Sequence, residues 1–323
     1  MKRSIAIAAS IVIMSFASYA QAATNSSTAS VNQSVGGANN ASVAQENANF
    51  TNASIDQAGS VNQAEIEQTG NGNSGNLTQV GNLNTADIEQ AGNNNTAGVN
   101  QIGNRNVADV DQIGNNNAAS VSQKGNGNNA EVNQKGNGNS ADVAQTGNGN
   151  NAEVDQFGNA NSADVAQTGN RNTADVDQAG NGNTAEIDQK GSRNFAEAEQ
   201  NGNGNTAEIE QSGSGNSADL VQNGDNNVGD IEQIGTGNSA DLSQNGNGNN
   251  GDIDQTGSFN AAGMAQSGNG NNSEIEQTGS RNVANVRQAS SYNRANVEQI
   301  GNFNTASVSQ SGGNNNVANI EQK

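Results

Sequence analysis

The residues of this chain that could do chemistry are its carboxylates. From Glu131 to Asp252 an Asp or Glu recurs at every eleventh position, as at Asp142, Glu153, Asp164, Asp175 and Glu186. Two positions further on, alternate units add Glu67, Glu89, Asp111, Asp155 and Asp177, and later Glu232, Asp254, Glu276 and Glu298. Paired carboxylates can act as acid and nucleophile in glycoside cleavage. Rows of oxygen ligands can also hold Ca²⁺. A regular, solvated surface without a pocket suits neither role, and the Gly-Gly-x-Gly-x-Asp pattern of Ca²⁺-binding solenoids is missing. The plainer reading is solubility, because like charges hold copies of the chain apart before they assemble. No enzyme activity, metal or cofactor is expected.

The other reactive types are scarce. The chain has no His and no Cys. It therefore lacks the commonest general base, and it can form neither a thiolate site nor a disulfide. Strings such as Gly147-Asn148-Gly149 lack the Lys-Ser/Thr ending and the following helix of a phosphate loop, so they read as turns. A formal net charge of −20 argues against nucleic acid as a partner. Arg105, Arg171, Arg193 and Arg281 fall in turns and read as local charge relief.

What must position the carboxylates is a repeat. Gln recurs at every eleventh position from Gln57 to Gln310, through Gln134, Gln145, Gln156, Gln167 and Gln178, with no insertion. Gly follows Gln by two, as at Gly147, Gly158 and Gly169, and this series breaks only at Ser290. Asn precedes Gln by six, Ala or another small residue by four, and an aliphatic residue by two. The unit is Asn-x-Ala-x-Val-x-Gln-x-Gly-Asn-x. Three turns of helix would also fit such a period, but a Gly and two or three Asn per unit oppose helix. The spacing of two between Ala141 and Val143 is that of a strand.

On a strand Asn139, Ala141, Val143 and Gln145 share one face, and Thr146 to Gly149 hold the turn. The next unit supplies Asn150, Ala152, Val154 and Gln156. Two units laid back to back place Ala141 opposite Val154 and Val143 opposite Ala152, small against large, in a thin dry core. Asn and Gln then stack on their counterparts along the axis. The expected fold is all-β: a two-sheet β-solenoid with one strand and one turn per 11-residue unit, stacked in 22-residue rungs. About 25 strands make about 12 rungs, a rod roughly 60 Å long. The absence of Pro leaves every ladder N–H in place.

Three segments are expected. Residues 1–22 read as a secretory signal: Lys2 and Arg3, an apolar run to Phe16, and a small-x-small cleavage site at Ala20 and Ala22. The run is too short to span a bilayer. Removing it leaves 10 basic against 32 acidic residues. Residues 23–50 form an Asn/Ser/Ala-rich leader with irregular repeats, and residues 51–323 are the regular array. The pattern continues through Val317, Ala318, Ile320 and Gln322, so no capping unit closes the end.

Gln145, Gly147, Asn150, Ala152 and Gln156 fit the spacing Gln-x-Gly-x-x-Asn-x-Ala-x-x-x-Gln, which resembles the curlin repeat of curli fibres. Asn139 stands where that family often carries Ser. The resemblance implies a subunit secreted unfolded through an outer-membrane channel. It also implies nucleation by a related minor subunit and polymerisation with identical copies into a biofilm-matrix fibre. Three alternatives stay open: the nucleating subunit itself, a solenoid adhesin or ice-binding module, and plain disorder. Ice binders present a flat row of Thr, whereas Thr occurs here only at scattered sites such as Thr146 and Thr168.

Overall fold

The computed structural model describes residues 20–22, 27–34 and 36–323. It is a β-solenoid of 28 strands, numbered β1 to β28 in chain order, and the described residues contain no helix. Odd-numbered strands make one 14-stranded sheet and even-numbered strands the other. All neighbours are parallel, and each strand pairs with the strand two ahead of it. Thus β12 (Ser140–Asn148) pairs with β14 (Ser162–Asn170), setting Ala141 on Ala163, Val143 on Val165 and Gln145 on Gln167. Each rung is therefore two repeat units, as the sequence period requires.

The pleat explains the burial. Within β13 (Asn151–Asn159), Ala152, Val154 and Gln156 point inward, while Glu153 and Asp155 face out. The expected inward set Asn139, Ala141, Val143 and Gln145 is buried, as is Asn150. Small does meet large between the sheets. A Cβ on Gly229, at an alanine position, would come within 3.0 to 3.1 Å of Leu220 and Leu242. One on Gly251 would touch Leu242 and Met264. Glycine replaces alanine where the facing residues are long, so the local volume is conserved.

The strands run further than expected. Most start after the Asn and continue through the Gly and the residue that follows it, so Gly147, Gly158 and Gly169 lie inside β12, β13 and β14 and not in the turn. They have φ of 120 to 127°, and a Cβ on Gly147 would fall 1.8 Å from the carbonyl oxygen of Gly169. The glycine is required because successive rungs meet backbone to backbone at that bend. The true corner is the next pair, Gly149 and Asn150 in this unit.

The array also begins earlier than the regular repeat. Within the 23–50 leader, β2 (Thr28–Ser34) and β3 (Asn40–Asn49) pair with β4 (Asn52–Ser60) and β5 (Gln63–Asn71). Its irregularity is a register shift between Glu46 and Asn49. Of residues 1–22, expected to be a secretory signal, residues 1–19 lie outside the described residues. Ala20–Ala22 form β1, which pairs with Val43–Gln45 of β3. These early strands account for the excess over the expected number.

Candidate functional site: amide ladders, charged faces and open ends

The inward glutamines form two ladders along the axis. Each Nε2 donates to the Oε1 of the Gln one rung ahead, as in Gln145 to Gln167 at 2.9 Å and Gln156 to Gln178 at 2.8 Å. Its second proton goes to a carbonyl of the opposite sheet: Gln145 to Asn129 and Gln156 to Ser140. One buried amide therefore fastens two rungs and two sheets, with both protons satisfied. Ser273, at an alanine position, joins this network by donating to Gln288 Oε1 at 2.7 Å. The corner asparagines clamp the backbone in the same way. Asn139 Oδ1 accepts the N–H of Asn161, and its Nδ2 donates to the carbonyl of Gly158, both at 3.0 Å.

Both ladders point one way, with every donor aimed toward the C-terminal end. At the N-terminal end Gln45 Oε1 is buried and accepts no hydrogen bond. Toward the C-terminal end, Gln310 and Gln322 each give one proton to a backbone carbonyl, of Arg294 and Thr305. The end strands β27 (Thr305–Gln310) and β28 (Val317–Gln322) each pair on one side only. In β28, Ala318 and Ile320 are only partly covered.

The carboxylates sit on the outer faces in axial columns. On the odd sheet Glu131, Glu153 and Asp175 stack in register, flanked by Asp155 and Asp177. On the even sheet the paired columns run from Glu186 and Asp188 through Asp230, Asp252 and Asp254. The double column thus changes sheet mid-rod. Partial burial against neighbouring rungs, followed by repulsion from Asp109, Glu65 and others, raises Asp87 to about 6. Asp111, Asp175, Asp230, Asp252 and Asp254 are raised to about 6 for the same two reasons. Asn133 relieves one contact by donating to Asp155 at 2.8 Å. Among the described residues no group of three or more His, Cys, Asp or Glu converges as metal ligands would.

The two corner edges differ. At each corner the tip residue has φ near +60°, which suits Gly and Asn. The edge that follows the odd strands carries Gly or Asn at every tip except Phe50, Ala160 and Tyr292. The edge that follows the even strands carries no Asn, and has Gly only at Gly127, Gly149, Gly215 and Gly237. Its other tips include Val61, Leu83, Phe259 and Phe303, all exposed. The remaining bulky tips are the four turn arginines. None of these arginines makes a close ion pair. The only ion pairs among the described residues are Lys190–Asp188 and Lys323–Glu321.

The curlin associated repeat matches this sequence in eleven segments, from residues 52–81 to 246–279 and again at 291–323. The chain belongs to the curlin repeat family. Comparison with curated proteins returned no match. The curlin repeat is a structural and not a catalytic unit, and its regularly spaced Gln, Gly, Asn and Ala are here the ladder, bend, clamp and core positions. The eleven-position period is enough to find the Gln ladder and the Ala–Val core, but not the bend at Gly or the clamping of backbone by the corner Asn. It misses the edge asymmetry, because only separating the tip residues by alternate units assigns them to two different corners.

Proposed function

We propose that this curlin-repeat chain is a secreted structural subunit that polymerises end to end into an extracellular, curli-like amyloid fibre of a biofilm matrix, serving adhesion. The observation that carries the reading is the direction of the amide ladders. Because every Gln donor points the same way, one rung face of a rod presents N–H groups and the opposite face presents acceptors, such as the unfilled, buried Oε1 of Gln45. Head-to-tail addition continues both ladders and both sheets, and it removes the unpaired strand edges that otherwise invite pairing. In this reading residues 1–22 are the secretion signal. Its removal takes β1 away and bares the pairing edge of β3 for the incoming copy. An outer-membrane channel and a related nucleating subunit are the partners that such a life history requires. Among the described residues no helix is long and apolar enough to cross a membrane.

Growth of the mature chain, residues 23–323, tests the proposal. Thioflavin fluorescence should rise after a lag, and diffraction should show spacings of ~4.8 and ~10 Å. The double variant Gln310→Glu/Gln322→Glu replaces each terminal donor with an acceptor facing another acceptor. Elongation from preformed seeds should then fall sharply while each rod stays folded. Seeded growth at the unmodified rate would sink the end-to-end reading.

A further inference from the structure

The even-to-odd corner edge places Arg105, Arg171, Arg193 and Arg281 at tips where φ is 56 to 58°. A residue other than Gly or Asn there costs about 1–2 kcal/mol of backbone strain, and the opposite edge avoids it at all but three tips. Strain kept at one edge and shed at the other points to a role for the side chain. None of the four arginines is in an ion pair, although the chain is strongly acidic. Arg171 and Arg193 flank a shallow groove of about 370 Å³ lined also by Asn148, Asn170 and Ser192. Arg281 is held along the edge between the rings of Phe259 and Phe303, 5.8 and 5.5 Å from their centroids.

We infer that this arginine edge is a lateral docking surface for a second copy of the chain, whose outer carboxylate columns it meets in a side-by-side, parallel pair of rods. Charge complementarity selects the occupant. The columns hold the densest negative charge on the molecule, stacked one rung apart with few internal cations. The match is also metrical. Both surfaces belong to the same two-unit rung, so an arginine seated on one carboxylate leaves every other edge residue in step with the neighbour's column. Any column repeating at the ~4.8 Å strand spacing would stay in step, and the chain's own carboxylate columns are such a column with the complementary charge. Planar guanidinium groups suit carboxylates in two-point contact better than lysine does, and the tip column contains no lysine. The inference concerns bundling and rests on the fibre reading only for its scale.

The test replaces Arg105, Arg171, Arg193 and Arg281 with Gly, the residue most used at the opposite tips, so the fold is relieved and not threatened. Mature wild-type fibres should gather into bundles at low salt and separate near ~1 M salt, where charges are screened within ~3 Å. The Arg→Gly variant should elongate at the wild-type rate, judged by seeded thioflavin kinetics, yet give single fibres by electron microscopy. Exchanging Glu153, Asp155, Asp175 and Asp177 for their amides should reduce bundling from the other side. Bundles that persist in the Arg→Gly variant, or that ignore salt, would overturn the inference. If no fibres form, the fibre reading fails separately. The same comparison is then read on rods by sedimentation, where a salt-sensitive wild-type pair absent from the variant supports the inference, and equal behaviour refutes it.

Discussion

At the scale of single residues, the molecule depends on side chains that bond along the axis. Gln145→Ala removes the acceptor of Gln123 and the donor to Gln167, both buried. Each stranded group costs about 1–3 kcal/mol. Folded rods should lose stability by about that amount, read as a lower denaturant midpoint and a longer assembly lag. The two glycines of one unit should behave differently. Gly147→Ala sets a methyl against the Gly169 carbonyl and should prevent the rung from closing. Gly149→Ala meets nothing nearer than Arg171 Cγ at 3.6 Å and bears only the φ strain, about 1–2 kcal/mol. Equal losses in the two variants, measured by assembly and urea unfolding, would contradict this assignment. The sequence makes the need for glycine visible at both places, but not its cause. A backbone-to-backbone approach between successive rungs has no local signature, which is why Gly147 reads as a turn residue until the rungs are stacked.

At the scale of the strand and its neighbours, the carboxylate columns make folding sensitive to pH in a definite direction. Asp87, Asp111, Asp175, Asp230, Asp252 and Asp254 rise from 3.8 to about 6 on folding. Between those values the folded state holds more protons than the unfolded chain, so stability declines as pH rises. The contribution is complete below about pH 4, is lost through about pH 6, and is absent at pH 7. Lag times should therefore be shorter and urea midpoints higher at pH 4 than at pH 7. Replacing Asp87 and Asp175 with Asn should flatten the dependence, and identical lag times at both pH values would refute it. Alternation of two makes the strands legible, and the Ala–Val spacing reveals their inward face. Strand length is underestimated from sequence because Gly and Asn weaken strands in general, whereas here stacked copies of themselves hold them in the sheet.

At the scale of the whole rod, consecutive repeat units are interchangeable in the core but lie on opposite sheets. Deleting the single unit 161–171 should therefore leave a folding, polymerising protein with the ~4.8 Å spacing intact. Downstream tips such as Arg193 and Arg281 would move to the other edge, and bundling should weaken. Deleting two adjacent units should preserve both properties. Loss of the ~4.8 Å reflection in the single-unit deletion would show that the half-rungs are not equivalent. That a rung holds two units is readable from the alternating charge before Gln, but which sheet a unit joins is not, because the alternation reverses between Asp188 and Glu210. The starting point of the array is not readable either, since β2 and β3 belong to it despite the longer steps between Gln33, Gln45 and Gln57.

The interchangeability of single units in the core has a consequence for heredity, and the carboxylate column's change of sheet is no instance of it, since the bulky tips keep to one edge on both sides of that change. When a repetitive gene gains or loses one unit during copying, the interior registers nothing, while everything displayed to the outside downstream changes sides. Duplication errors in such a gene remain survivable, and they reshuffle surface character without remaking the scaffold.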